Sequence, residues 1–500
     1  MSVPFETHAA APQVEDAAQY ARIRDVLARA GYTDEGVVKV LGVDSLSRLR
    51  DRRLPALLQR TGGGTPLDIL VRLFILDQPV AHAAAARAIA PMTVDEWAAM
   101  LLVERDGDVV RPCVQLRCYQ GMVLAYDFLR RGKGGVRRDY VMSVSPSTLV
   151  LLGMTVRRQN RAALDLGSGC GIQAFVAAAH SDRVVGVDTN PRAIAIARFN
   201  AGLNAIDNVE FREGSMFAPV AGERFDLIVS NPPFIISPDN RHLFLNSGED
   251  DDAICRKLAQ SAPGYLAEGG YCIFNANWAI VDGEDWHARL AGWFAGTGCD
   301  AFVVGQGIVE TAEYAASLIE VGDDTPEYLR LFDEWMAYYR ARRIVAVGRG
   351  VIVMQRTSAH RNWFEADVGP VEFAFPSGED VRRLIEARTY LRSLGEDGLL
   401  DARLRVSDNV RLEQTLKRSD AGWLPVSGLL RRVEGLAYSG SIDATTAALV
   451  AKYDGQRPVR AHLDDLAAAL DAPLHAVTPG ALAIIRRLVE QGFLLPDGIA

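Results

Sequence analysis

The chain has 500 residues, of which 49% are hydrophobic, so it is long enough for two or three domains with buried cores. A net charge of −9 weakens a role on nucleic acid, which usually requires a basic face, and six scattered cysteines without a Cys-x-x-Cys pair suit a reducing cytoplasm. No apolar run is long enough to span a membrane, and the first residues lack the basic and apolar segments of a secretory signal.

Residues 1–125 are predicted to form a mainly helical N-terminal domain. The segment 66–76 has the apolar spacing of a helix, and Thr93 with Glu96 forms a capping box that begins another helix. Asp106-Gly107 lies between two short apolar segments and predicts a hairpin. Helices followed by a small hairpin are compatible with a winged-helix module, which can bind nucleic acid, bind protein or pack against another domain.

A basic stretch interleaved with glycine follows this domain. Its charged residues are Arg130, Arg131, Lys133, Arg137 and Arg138. Such a stretch can contact phosphates, and it can equally serve as a solvated linker between domains.

The next segment carries a glycine-rich turn between a strand and a helix. The apolar run 162–166 leads directly into Gly167-Ser168-Gly169-Cys170-Gly171, and a helical pattern follows over residues 172–180. This arrangement lets backbone groups and a helix N-terminus approach a polar ligand. Glycine at alternate positions removes the Cβ atoms that would obstruct that approach. The turn is therefore predicted to bind a ligand.

Three further strands follow in the order expected of a doubly wound sheet. The first ends in Asp188, about 20 residues after the glycines, where such a sheet places a carboxylate that accepts hydrogen bonds from ribose hydroxyls. The second, over residues 209–211, leads to a turn that contains Ser215 and Met216. The third, over residues 225–230, runs straight into Asn231-Pro232-Pro233-Phe234.

The chemistry of this tetrapeptide can be argued from its side chains. In a nucleobase amine or a glutamine amide, the nitrogen lone pair is delocalised, so the nitrogen is a poor nucleophile. The Asn231 side-chain oxygen and the Pro232 carbonyl can accept its two hydrogens and draw them out of the conjugated plane. Consecutive prolines stiffen that carbonyl, and Phe234 offers a face for stacking. Positioning and electrostatics then suffice for catalysis without a strong general base.

Together these residues resemble the class I S-adenosylmethionine-dependent methyltransferases, in the branch whose fourth strand ends in Asn-Pro-Pro-aromatic. The resemblance extends from about Tyr140 to Gln355 and implies a Rossmann-like, seven-stranded α/β domain, which we place at residues 126–356. Ser215 stands where many relatives carry an acid that contacts adenine. The implied S-adenosylmethionine-binding residues are Asp165, Gly167, Gly169, Gly171, Asp188, Ser215, Met216 and Asn231.

The resemblance implies methylation of a planar amino group by Asn231, Pro232 and Phe234. The basic stretch and the flanking modules favour an exocyclic amine of RNA or DNA as the acceptor. The alternative is a glutamine side chain of a protein such as a release factor or a ribosomal protein. A small-molecule amine, or a non-catalytic scaffold that only binds S-adenosylmethionine, remains open.

Two further regions complete the prediction. Aromatic residues precede the last strand of the sheet and are interpreted either as an acceptor lid or, preferably, as core packing; they are Tyr314, Tyr328, Phe332, Trp335, Tyr338 and Tyr339. Residues 357–500 are predicted to be a mainly helical C-terminal domain that is compatible with a second winged-helix module, with helices over residues 407–418, 445–454, 462–470 and 481–492 and a short strand over residues 493–496. The eight histidines lack metal-ligand spacing, so no metal is expected.

Overall fold

The computed structural model describes residues 11–44, 54–129, 139–238, 251–319, 325–368, 372–374, 376–420 and 422–499. The chain divides into two compact units. The first comprises residues 1–149, 159–301 and 309–364, and the second comprises residues 150–158, 302–308 and 365–500. The division into three domains at residues 125 and 356 stays a prediction.

The first part of the chain combines short helices with short strands. Its elements are α1 (Ala17–Arg29), α2 (Asp34–Leu41), α3 (Leu54–Arg60), α4 (Pro66–Phe74), β1 (Val80–Ala81), α5 (His82–Ala88), α6 (Val94–Ala99), β2 (Val103–Asp106), β3 (Val109–Pro112), β4 (Gln115–Tyr119) and β5 (Met122–Tyr126). The capping box at Thr93 and the hairpin at residues 106–107 are confirmed. From α4 to β3 the order is helix, strand, helix, helix, strand, strand, and β3 lies between β1 and β2, which agrees with the winged-helix interpretation.

A large mixed sheet follows, flanked by helices. Its strands are β6 (Asn160–Leu166), β7 (Ser181–Asp188), β8 (Val209–Glu213), β9 (Phe225–Ser230), β10 (Leu266–Val281), β11 (Cys299–Glu310), β12 (Ile344–Arg356) and β13 (Phe364–Val368). The helices are α7 (Pro146–Met154), α8 (Ile172–Ala178), α9 (Pro191–Leu203), α10 (Ala253–Ser261), α11 (Trp286–Ala291), α12 (Thr311–Leu318) and α13 (Pro326–Ala341).

The strand order of this sheet is β13-β11-β12-β10-β9-β6-β7-β8. Strands β6 to β10 pair in parallel, whereas β12 is antiparallel to β10. The predicted seven-stranded Rossmann-like sheet is confirmed, with β13 as an eighth strand at its edge. Because β7 and β9 lie on opposite sides of β6, the connections diverge there, and a crevice forms at the carboxyl ends of β6 and β9.

Helix α9 also holds β5 through two asparagines that lie one turn apart. Asn200 accepts the Ala125 N–H through Oδ1 (2.7 Å) and returns a bond from Nδ2 to the Ala125 carbonyl (2.9 Å). Asn204 makes the same pair of bonds with Val123, each 2.8 Å long. Each amide therefore supplies the hydrogen-bond donor and acceptor that a neighbouring strand would otherwise provide at this edge of β5.

The last part of the chain agrees with its prediction in the two helices near its end and the short strand after them, and it contains more strands than expected. Its elements are β14 (Glu372–Ala374), α14 (Gly378–Ser393), α15 (Glu396–Asp401), β15 (Arg403–Val406), β16 (Val410–Ser419), β17 (Gly422–Arg432), β18 (Gly435–Ala437), β19 (Ser439–Ile442), α16 (Ala444–Val450), β20 (Asp454–Pro458), α17 (Val459–Ala469), α18 (Leu474–Glu490) and β21 (Leu494–Pro496). The order helix, strand, helix, helix, strand occurs again from α16 to β21. No helix in the described part of the chain is long and apolar enough to cross a membrane.

The prediction of a mainly helical C-terminal domain is wrong where the helix over residues 407–418 was expected. This segment contains β16, which pairs antiparallel with β17 along its whole length. Its leucines, glutamine and charged residues favour a helix individually. However, Val410, Leu412 and Leu416 recur at even positions, which is the period of a strand, and pairing with β17 overrides the residue preference. The helix expected over residues 445–454 ends at Val450.

Candidate active site

A cavity of about 280 Å³ lies at the carboxyl ends of β6, β7 and β9. Of the residues singled out in the sequence, it is lined by Gly167, Gly169, Asp188, Ser215, Met216, Asn231 and Pro232. Asp165, Gly171 and Phe234 are not part of its lining. Two further groups complete the wall, namely residues 140–143 and the pair Ile254 and Lys257 on α10, and the sequence did not indicate the pair on α10.

The glycine turn is shaped by left-handed backbone and by close packing. Gly167 has φ +75°, and a Cβ atom there would lie 3.7 Å from the Asn231 carbonyl oxygen. At Gly171 (φ +91°), a Cβ atom would lie 2.6 Å from the Phe175 ring, so no larger residue fits without displacing that ring. These two glycines let the turn pack against α8 and against residues 231–236, which we call the acceptor loop.

The N–H groups of this turn are largely occupied within the protein. Gly167 and Ser168 donate to the Val187 carbonyl at the end of β7, at 2.8 and 3.0 Å. Gly169 donates to Asp188 Oδ2 at 2.9 Å. The turn therefore offers the cavity an open backbone surface rather than the N–H groups of Gly167 and Gly169.

Asp188 is held in one orientation at the cavity wall. Its Oδ2 accepts from Gly169, and its Oδ1 accepts from the Asn190 N–H at 2.8 Å. Burial raises the pKa of its carboxyl, and the backbone hydrogen bonds act in the opposite direction. Each carboxylate oxygen keeps a further lone pair that can accept a hydrogen bond from a ligand hydroxyl.

Asp165 lies behind the turn rather than in the cavity. Its Oδ2 accepts the Ala174 N–H of α8 at 3.0 Å, while Oδ1 has no hydrogen-bond partner among the described residues. Burial raises the pKa of this carboxyl to about 7. Its place in the structure is to tie the first turn of α8 to the end of β6.

This raised pKa predicts how stability changes with pH. In the unfolded chain the carboxyl ionises near 3.8, whereas in the folded protein it keeps its proton up to about pH 7. Between these values unfolding releases a proton, so the free energy of unfolding falls as pH rises. We expect urea titrations without ligand to show this fall in the wild type and to show less of it in Asp165→Asn. Equal pH dependence in the two proteins would contradict the assignment.

Asn231 begins a loop that is anchored by hydrogen bonds at several points. Its Oδ1 accepts a hydrogen bond from Asn275 Nδ2 at 2.7 Å. Just before it, Ser230 Oγ donates to the Leu166 carbonyl at 2.8 Å and ties the end of β9 to the end of β6. Pro232 is buried at the cavity wall, and Phe234 is partly buried beyond it. The strand ends thus bring Asn231 and the glycine turn together.

The aromatic residues before the last strand pack mainly in a core, as preferred from the sequence. Tyr314, Trp335 and Tyr339 are buried, and the other three pack at the margin of the same cluster. Two of them also hold the acceptor loop. The Ile236 N–H donates to the Tyr314 hydroxyl at 3.3 Å, and the Tyr339 hydroxyl donates to the Ile236 carbonyl at 2.9 Å.

A buried ion pair supports the wall formed by residues 140–143. Arg192 on α9 contacts Asp127 at 2.6 Å, and the two side chains are 6% and 7% exposed. The Val141 N–H donates to Asp127 Oδ2 at 2.9 Å, and the Asp127 N–H donates to the Val141 carbonyl at 3.1 Å. No local sequence pattern indicates this pair, because its members are 65 positions apart.

Removing one member of this pair is expected to destabilise the protein strongly. Asp127→Ala removes the carboxylate that pairs with the buried Arg192 guanidinium, so the free energy of unfolding should fall by about 3–5 kcal/mol in urea titrations. Glu334→Ala is the control, because Glu334 and Arg330 form an exposed pair on α13, and its effect should stay within about 0.5 kcal/mol. Similar effects of the two substitutions would contradict a structural role for the buried pair.

The described residues contain no group of three or more His, Cys, Asp or Glu side chains that could hold a metal ion. The predicted basic stretch at residues 130–138 lies outside the described residues. Its role in binding phosphates is therefore left as a prediction.

Comparison with known proteins adds to this geometry. A family model described as "Methyltransferase small domain" matches residues 142–281, and models of two domains of unknown function match residues 29–113 and 383–496. A release factor glutamine methyltransferase of Vibrio cholerae is 38% identical over 157 residues, which are 27% of this chain and 54% of that protein. The corresponding protein of Geobacter sulfurreducens is 35% identical over 188 residues, which are 33% of this chain and 63% of that protein.

A third relative is covered over a larger share of its own length. A putative protein N5-glutamine methyltransferase of Methanocaldococcus jannaschii is 32% identical over 137 residues, which are 26% of this chain and 68% of that protein. The chain thus spans between about half and two thirds of the length of the three relatives.

Proposed function

Because the chain belongs to the class I S-adenosylmethionine-dependent methyltransferases, we propose that it methylates the amide nitrogen of a glutamine side chain in a protein. The observation that carries this proposal is the position of Asn231. Its side-chain oxygen is oriented by a hydrogen bond, and Asn231 lines the cavity that Asp188 and the glycine turn also line.

The cavity residues fit a cofactor that has a ribose and a charged methionine end. Asp188 would accept hydrogen bonds from the ribose hydroxyls, and Ser215 and Met216 would lie beside the adenine. The open backbone at Gly167 and Gly169 would accommodate the methionine end. The cofactor supplies a methyl group that is made electrophilic by its bond to a sulfonium.

The acceptor chemistry belongs to the loop that begins at Asn231. Asn231 Oδ1 and the Pro232 carbonyl would each accept one amide hydrogen of the glutamine, which weakens conjugation and exposes the nitrogen lone pair. A bond from the glutamine nitrogen to the methyl carbon would form as the carbon–sulfur bond broke, and the excess proton would then leave the alkylated amide for water. Phe234 would stack on the flat amide group. The catalytic effect rests on orientation and electrostatics.

Two observations favour glutamine over the nucleobase amine that the sequence first suggested. The relatives described above are named as glutamine methyltransferases that act on protein. In addition, α6 carries Asp95 and Glu96 in its first turn, and the β2–β3 hairpin carries Asp106 and Asp108, so these parts of the winged-helix-like module are poorly suited to phosphates. RNA and DNA are therefore kept as alternative outcomes of the test.

The cellular location that we propose is the cytoplasm. No disulfide joins the six cysteines, all of which lie in the described residues, and five of them are buried. Burial raises the pKa of Cys170 to about 11 and of Cys255 to about 12, which keeps these thiols protonated and unreactive at neutral pH. Free thiols are usual in proteins of a reducing compartment.

The test is methyl transfer from radiolabelled S-adenosylmethionine into a cell extract, with portions digested by nuclease or by protease before counting. We expect label that is lost on protease treatment, resists nuclease, and is absent with Asn231→Ala. Label that nuclease removes would assign the acceptor to RNA or DNA. Cofactor binding without macromolecular label would favour a small-molecule acceptor or a scaffold over the proposed function.

A further inference from the structure

Asn275 lies in the middle of β10, and its side chain contacts the Asn231 amide, whose oxygen is the proposed hydrogen-bond acceptor. It is 5% exposed, and its Nδ2 donates to Asn231 Oδ1 at 2.7 Å and to the Ser147 carbonyl at 2.9 Å. Both hydrogens of this amide nitrogen are thereby used. Asn275 thus joins the strand, the start of α7 and the acceptor loop.

The contact with Ser147 determines the direction of the whole chain of hydrogen bonds. A backbone carbonyl can only accept, so the atom of Asn275 that faces Ser147 must be its NH₂ group. That NH₂ group also faces Asn231, so the atom of Asn231 opposite it must be the acceptor Oδ1. If the Asn231 amide turned over, two NH₂ groups would face each other.

We propose that Asn275 is a positioning residue that sets the orientation of the Asn231 amide. This inference rests on the proposed function, because orientation matters only if Asn231 Oδ1 accepts a hydrogen from the methyl acceptor. Asn275 uses one lone pair of Oδ1, and the second lone pair is the one that would accept the hydrogen of the methyl acceptor. Asn275 itself does not line the cavity and therefore acts through Asn231.

The same strand supports the other end of the acceptor loop. Asn277 lies two positions further along β10 and so projects to the same face as Asn275. Its Nδ2 donates to the Tyr314 hydroxyl at 2.7 Å, and that hydroxyl in turn accepts the Ile236 N–H. Strand β10 thus supports the loop at Asn231 directly and at Ile236 through Tyr314, which keeps the intervening Pro232 carbonyl in place.

The sharpest test is Asn275→Asp, which changes hydrogen-bond polarity with little change in shape. The ionised carboxylate that this substitution introduces has no hydrogen to donate, so it would accept from the Asn231 NH₂ group and turn that amide over. We expect kcat for labelling of the protease-sensitive acceptor to fall about 100-fold, with the Kd for S-adenosylmethionine within about threefold of wild type. Asn275→Ala, which leaves the Asn231 amide free to turn, should lose about tenfold.

The pH profile separates positioning from a loss of packing. A protonated carboxyl group has one O–H donor, so activity of Asn275→Asp relative to wild type should rise as pH is lowered. Asn208→Asp is the matched control, because Asn208 Nδ2 also donates two hydrogen bonds, in this case to the backbone carbonyls of Ala178 and Ser181 away from the cavity. This variant should keep near wild-type kcat and show no relative gain at low pH.

The outcomes are distinct for the two proposals. If Asn275→Asp keeps wild-type kcat while Asn231→Ala loses it, the positioning role is overturned and the proposed function stands. If Asn275→Asp and Asn208→Asp lose thermal stability and activity in parallel, Asn275 is only structural and the inference is overturned. If Asn231→Ala also keeps full activity, the proposed function fails together with the inference.

Discussion

Asn231→Ala is expected to lower kcat for methyl transfer by about 100- to 1,000-fold and to leave cofactor affinity within about threefold of wild type. The side-chain oxygen is one of two acceptors proposed to polarise the amide, and its contribution is made in the transition state. Single-turnover rates with radiolabelled S-adenosylmethionine measure the loss, and titration calorimetry measures the cofactor Kd.

Asn208→Ala is the control for this substitution. Asn208 is partly buried like Asn231, but it bonds the Ala178 and Ser181 carbonyls away from the cavity. We expect its kcat to stay near that of the wild type. A kcat for Asn231→Ala that equals that of Asn208→Ala would remove the main support for the acceptor chemistry.

Asp188→Ala is expected to weaken S-adenosylmethionine binding by at least about 100-fold. The carboxylate would accept hydrogen bonds from two ribose hydroxyls, and hydrogen bonds to a charged group contribute about 1.5–3 kcal/mol each. The substitution also removes the acceptor that orients the Gly169 N–H. Both effects should appear as an increase in Kd in titration calorimetry.

Asp182→Ala provides the comparison on the same strand. Asp182 stands near the start of β7, is exposed, and accepts a hydrogen bond from the Gln159 side chain. Its replacement should leave the Kd unchanged within about twofold, because exposed contacts of this kind contribute little. If the Kd of Asp188→Ala also stayed near the wild-type value, the cavity would need a different ligand assignment.

Local sequence patterns predicted the parts of the site that lie next to one another in the chain. Three local patterns each mark the end of a strand: alternating glycines, an acid after the following strand and a proline pair. The glycine turn, Asp188 and Asn231 could therefore be placed at strand ends. Parallel strands then bring those ends to one edge of the sheet. The cavity at that edge contains all three.

The supporting contacts could not be predicted in this way. Asn275 reaches Ser147 across 128 positions, and Arg192 reaches Asp127 across 65 positions. Such pairs arise only when distant elements meet in the folded chain, and the residues themselves carry no local signal. The misread strand β16 has a different cause, because its apolar residues do show the strand period, but the helix preference of the single residues was given more weight than that period and the pairing with β17.

The sequence also did not decide which class of nitrogen is methylated. The Asn-Pro-Pro-Phe loop provides two hydrogen-bond acceptors for a planar nitrogen, and this chemistry serves a nucleobase amine and a glutamine amide equally. The basic stretch at residues 130–138 led the sequence interpretation towards nucleic acid. The relatives and the acidic residues in α6 and the β2–β3 hairpin shift the proposal to protein.

The most direct test of this account is to identify the methylated residue. Cell extract would be incubated with the enzyme and S-adenosylmethionine carrying a deuterated methyl group, and the digested protein and nucleosides would then be analysed by mass spectrometry. We predict a deuterated methyl group on the side-chain nitrogen of a glutamine, present with wild type and absent with Asn231→Ala. Deuterated methyl found on adenine or guanine nucleosides, with none on glutamine, would contradict the account.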